Sequence, residues 1–253
     1  MIMKKTANIY RRRFLVLILM GVIIMNAFSL LTGCSVFEAD TATSVKKQLN
    51  EKYGIEFDVT AMGDRINTGS ATLYCIPKGN DTVHFTVIYD YSKKTITDDY
   101  LARKNAVEID GELKDISAES TVDFASLTAF YDADYTSLNG SENTFDFIKK
   151  SGATELYIHL AVNADEITDE KSAQEMIDAL ETISRKYDSI DILAVTFFLK
   201  QDEYEKCVEE LSKRTAVNDD WFKSYSPISS MNIKLEEGRA LKSAADLLLS
   251  VKG

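Results

Sequence analysis

The run "IDILAVTFFL", Ile190 to Leu199, is apolar on both faces beyond Asp191. Side chains alternate between faces along a strand, so a strand of this composition has no side to turn toward water. It belongs inside a sheet covered on both sides, the situation of a parallel βαβ unit. The residues upstream fit that requirement. "ELYIHLAVN", Glu155 to Asn163, reads as a second strand, and "DEKSAQEMIDALETISRKY" between the two reads as a long helix. In that helix Ala173, Met176, Ile177, Leu180, Ile183 and Tyr187 form one apolar stripe, with charges on the remaining surface.

The first half of the chain has a different rhythm. In "TSVKKQLNEKYG", Val45, Leu49 and Tyr53 recur at helical spacing and Gly54 supplies a stop. Three runs of strand character follow, Ile55 to Met62, Ser70 to Ile76 and Thr82 to Asp90, the last two joined by a hairpin loop over Pro77 to Asp81. "TDDYLARKNAVEIDGELKDI" then predicts a helix capped by Thr97, with two carboxylates in its first turn where the helix dipole favours them. Beyond it, "TVDFA" reads as a strand, "YDADYTSLNGSEN" as a loop and Glu142 to Lys150 as a short helix. Near the end, Asp202 with Glu205 suggests a capping box for a helix carrying Tyr204, Val208 and Leu211, and "EGRALKSAADLLLSV" a final helix.

The expected class is therefore α+β. An N-terminal α-β-β-β-α part with an antiparallel sheet spans 44–118, and a C-terminal part of alternating helices and strands spans 119–253. The change of style favours two subdomains, with one continuous sheet as the alternative.

Residues 1–43 are of another kind. Lys4, Lys5 and Arg11 to Arg13 precede eighteen uncharged residues, Phe14 to Leu31, which is the plan of a secretory signal. Eighteen such residues also reach the threshold for a membrane-spanning helix. Under either reading the basic cluster stays in the cytoplasm and the remainder is placed outside. "LTGC", Leu31 to Cys34, ends this run and resembles the lipobox of bacterial lipoproteins, although Thr32 stands where Ala or Ser is commoner. The resemblance implies that residues 1–33 are removed as a signal peptide and that Cys34 becomes the lipidated first residue. Residues 34–43 then serve as a short tether. Two acyl chains hold a protein stably at a membrane, each buried CH₂ contributing about 0.8 kcal/mol. The membrane is thus the first expected partner, through the lipid on Cys34. Apart from this motif, the style of the chain is similar to that of small surface lipoproteins of Gram-positive bacteria.

Removal of residues 1–33 takes away five of the 29 basic residues and none of the 40 acidic ones, leaving 24 against 40, a net charge near −16. Such a surface disfavours nucleic acid and anionic headgroups and suits a cationic protein partner or plain solubility. The other two cysteines, Cys75 and Cys207, fall in phase with Ala71 and Leu73 and with Tyr204, Val208 and Leu211 respectively. That phasing predicts unpaired, buried thiols rather than a disulfide.

No nucleophile elbow, zinc-binding helix motif, paired-cysteine motif or phosphate-binding glycine loop occurs. The two histidines, His84 and His159, are each placed in a strand, out of phase with apolar neighbours, and read as structural side chains on the second face of a sheet. "DADYTSLNGSE" opens like a calcium loop, but an EF-hand needs Gly at Ser137 and Glu at Asn143. No catalytic residue, metal site or cofactor is expected. The aromatic segment "NDDWFKSYSP" contributes Trp221, Phe222 and Tyr225 as candidates for partner binding, against the alternative that they pin a loop to the core. The function predicted is a non-enzymatic interaction or ligand-binding module at the cell surface. The alternatives are a small-solute-binding lipoprotein of a transporter and a cell-envelope hydrolase.

Overall fold

The computed structural model describes residues 39–65 and 69–252. The signal segment, Cys34 and the first part of the tether lie outside those residues. The fold is α+β with two sheets. A helix over 39–53 (α1) leads into a four-stranded antiparallel sheet of β1 (Phe57–Arg65), β2 (Ser70–Pro77), β3 (Phe85–Asp90) and β4 (Thr95–Asp98) in that spatial order. Helix α2 (Tyr100–Glu119) connects it to a five-stranded sheet, ordered β5 (Phe124–Tyr131), β6 (Glu155–Asn163), β7 (Asp191–Leu199), β8 (Ser229–Glu236) and β9 (Arg239–Ala240). Between these strands come α3 (Thr144–Ser151), a 3₁₀ turn at Ala164–Glu166, α4 (Glu170–Lys186), α5 (Gln201–Leu211) and α6 (Asp219–Lys223); α7 (Ala244–Lys252) closes the chain.

The doubly apolar run behaves as its composition requires. β7 is central, parallel to β6 and antiparallel to β8. Its even-numbered residues Ile192, Ala194 and Phe198 join a core that runs from Val45 to Leu247 and takes in both sheets and α4. Its odd-numbered residues Val195, Phe197 and Leu199 join a second cluster beneath α5 and α6. The thiols of Cys75 and Cys207 are free and buried, one in each cluster, and burial pushes both up to about 12.

Several elements differ from their sequence-based assignment. Thr97 lies in β4, a strand the sequence reading missed, and α2 begins at Tyr100 after Asp99, which makes no side-chain cap. Asp99 instead accepts hydrogen bonds from the Thr86 N–H and hydroxyl, so the carboxylate ties α2 to β3. α5 starts after Lys200 without a side-chain cap, and Gln201 Nε2 takes the Glu205 carboxylate that the proposed capping box needed. β8 and β9 occupy a stretch left unassigned and the start of the predicted last helix. Residues 39–43, assigned to the tether, are helical, with Thr41 buried.

α2 is the element on which both sheets are mounted, and its polar side chains do that work. β5 is an edge strand, with the free N–H and C=O groups such a strand presents. Arg103 Nη1 donates to the Thr128 carbonyl at 2.8 Å, while Asp110 accepts from the Thr128 N–H (3.3 Å) and hydroxyl (2.7 Å) and from the Ser126 hydroxyl (2.8 Å). Thr128 is wholly buried, and burial raises Asp110 above the usual carboxylate range, with these hydrogen bonds and Arg103 opposing. At the other end, Asp98 accepts from Lys52 and from the Tyr53 hydroxyl of α1.

Asp110→Ala leaves three donors unmet and removes a counter-charge from buried Arg103, so it is expected to destabilise the fold by about 3–5 kcal/mol in urea denaturation. Asp110→Asn keeps an oxygen acceptor and is expected to cost about 1 kcal/mol.

Candidate ligand-binding site

The odd-numbered side chains of β6 share the outer face of the five-stranded sheet. Leu127 of β5 and Val195 of β7 flank His159 on its two sides. α6 covers this point because Phe222 inserts its ring between the sheet and the helix. Phe222 is fully buried and lies parallel to Phe197 at 4.3 Å and to the His159 imidazole at 5.5 Å. The helix starts there because the Asn218 side chain accepts from the Trp221 N–H. Asp219 stands one turn before Phe222 on the same side of the helix. Docking of the phenyl ring therefore carries the carboxylate to the imidazole, 3.5 Å from Nε2.

The resulting cleft has a volume of about 450 Å³ and is lined by Tyr157, His159, Val217, Asn218, Asp219, Asp220 and Lys223. His159 is only 7% exposed and its Nε2 makes no hydrogen bond. Burial pushes the imidazole below its ordinary value, with Asp219 opposing, so the ring is neutral near pH 7. The Asp219 side chain is 57% exposed and has no lysine or arginine within ion-pair distance, whereas its neighbour Asp220 is paired with Lys223 at 2.7 Å. Tyr157 packs its ring edge-on against His159, and burial followed by Asp219 raises its phenol. The lining carries a neutral imidazole, a carboxylate without a direct ion-pair partner and an aromatic wall, and holds no serine, threonine or cysteine.

His159 does lie on the second face of its sheet, but its Nε2 lacks the partner that a structural histidine normally finds. His84 falls just before β3, half-buried, and is not brought to His159. Of the aromatic trio, Phe222 and Tyr225 are core residues and Trp221 is half-buried, stacked edge-on to both and covered by the Arg214 guanidinium at 5.5 Å. A partner approaching this surface meets Trp221 before the other two. Asp134 is occupied by the Thr136 N–H and hydroxyl, and among the described residues no group of three or more His, Cys, Asp or Glu side chains is placed to hold a metal ion. Asp219 was missed. Its signal was proximity to the aromatic segment, and its partner lies sixty residues earlier in another element.

No family model and no curated protein matches the chain. Among solved structures, a DUF5037 family protein from Ruminococcus gnavus is similar in fold, with a TM-score of 0.63 over 84% of this chain and 99% of that one at 14% sequence identity. That likeness concerns the fold alone.

Because the folded protein holds His159 below the ordinary imidazole value of about 6.5, the unfolded chain binds its proton more readily. The group's contribution is complete above pH 6.5 and is lost as pH falls through that value toward the folded one. Denaturation midpoints compared at pH 7.5 and pH 5 are expected to fall less for His159→Phe, which keeps a flat ring in the stack, than for the wild type. An equal fall in both proteins contradicts the assignment.

Proposed function

We propose that the protein is a lipid-anchored extracytoplasmic binding module, held at the outer face of the cell membrane through Cys34 and recognising a cationic partner without turning it over. The observation that carries the anchoring is "LTGC" at the end of an uncharged run behind a basic cluster. Lipid on the cysteine fits the rest of the chain. The helix at residue 39 follows Cys34 closely. A connection this short keeps the fold beside the bilayer. The net charge near −16 of the chain from Cys34 onward supports attraction to a basic surface, which speeds encounter at low salt and is screened as salt rises. The exposed Asp219 carboxylate at an open cleft supports recognition there.

Intact mass of the membrane-extracted protein tests the anchor. The expected product begins at Cys34 and carries a diacylglycerol, and Cys34→Ala is expected to abolish both the lipid and the cut. A chain beginning at Met1 or Met3, or identical processing of the variant, overturns the reading.

A further inference from the structure

The cleft beneath α6 contains an electrostatic deficit that the protein itself does not fill. His159 Nε2 and an Asp219 carboxylate oxygen face each other at 3.5 Å with no hydrogen bond between them. The neutral imidazole offers the carboxylate no opposite charge. The lysine that lines the cleft, Lys223, is hydrogen-bonded to Asp220 at 2.7 Å and acts on Asp219 only at longer range. The Arg214 guanidinium lies over the Trp221 ring and 3.5 Å from Glu210. A buried ring nitrogen without a hydrogen bond and a carboxylate without a lysine or arginine ion pair fit a ligand that brings both positive charge and several N–H groups.

We propose that this cleft binds a protonated primary amine, with Asp219 as counter-ion, His159 Nε2 as second acceptor in the tautomer that carries its proton on Nδ1, and the Tyr157 ring as a wall for the cation and its alkyl stem. An ammonium has three donors, enough to serve both acceptors. A negative carboxylate beside an aromatic face is the combination that retains a cation, through direct charge pairing and through the ring quadrupole. An anion is repelled by Asp219 and Asp220. Asp219 is exposed enough to turn on its side-chain bonds, which opens the buried nitrogen to the incoming amine. The volume of about 450 Å³ exceeds what one ammonium fills, and the alkyl chain has a way out to solvent. Two sources offer this chemistry, a free small amine and a lysine side chain displayed on a peptide. The inference rests on the reading of the protein as a binding module and is independent of the lipid on Cys34.

The chain's single tryptophan, Trp221, lies two residues from Asp219 and provides a built-in reporter. Full-length protein in a non-ionic detergent is titrated with cadaverine, with a blocked Gly-Lys-Gly peptide, and with the same peptide acetylated on its lysine, following tryptophan emission and heat. Saturable binding of an unacetylated probe and none of the acetylated one is expected. Comparable affinity for cadaverine and peptide identifies a small-amine site, and preference for the peptide identifies a protein-borne lysine. Asp219→Asn is expected to weaken binding at least tenfold and Tyr157→Leu about threefold, whereas Glu209→Gln on α5 leaves it unchanged. Lys223→Ala, which frees Asp220, is expected to strengthen it. Binding that survives lysine acetylation or Asp219→Asn overturns the inference, as does the absence of saturable binding by either amine. Recovery of a cationic protein partner whose binding ignores Asp219 overturns this site and leaves the binding-module reading standing.

Discussion

Two side chains of α2 take up the backbone of an edge strand at Thr128. Arg103 and Asp110 take the Thr128 carbonyl and N–H respectively, supplying to β5 the contacts that a neighbouring strand would otherwise provide. An unprotected edge invites pairing with another chain, and these contacts occupy β5 at Thr128, near the middle of the strand. Just ahead of that helix, Asp98 at the end of β4 receives α1 and Asp99 at the helix N-terminus holds β3, so polar groups at and before its start and along its middle bind it to both sheets. The arrangement is costly in isolation, because two carboxylates and a guanidinium are taken out of water. It holds because each carboxylate accepts several hydrogen bonds and the guanidinium lies among them.

With β5 held at Thr128 and the inner face packed on α2 and α4, the outer face of the second sheet is left to the shorter helices. α5 and α6 cover only part of it. Where α6 ends its cover, at β6, the half-buried Tyr157 and the buried His159 meet the exposed Asp219. The cleft is thus a consequence of a five-residue helix being too short to shield a nine-residue strand. Its chemistry follows from the docking of Phe222, which fixes where the adjacent acidic turn must fall.

The parts legible in the sequence were those whose side chains carry a period. β7 announced itself by having no polar face, α4 by a clean stripe, and the two thiols by their phase with apolar neighbours. β4 was taken for a helix start because Thr97 followed by acidic residues is also what a cap looks like. Only the pairing of Ile88 with Thr97 reveals a strand. β8 did alternate, Met231, Ile233 and Leu235 against polar residues, but with only two of its positions buried the signal was weak. In the segment Asn218 to Pro227 the aromatic residues carry the visible signal, yet Phe222 lies in the core. The charged residue that faces the cleft without a direct ion-pair partner is Asp219. No local pattern could pair it with His159, since the contact depends on how a helix lands on a sheet sixty residues away.

The claim on which this account most depends is that α2 replaces a missing strand along β5. Residue-resolved hydrogen exchange of the native protein measures it directly at the Thr128 amide. If Asp110 holds that N–H in a closed interface, its exchange is as slow as that of central-strand amides such as Leu160, and it becomes fast in Asp110→Ala while the amides of β7 stay protected. Exchange of the Thr128 amide in the wild type at the rate of a solvent-exposed edge contradicts the account.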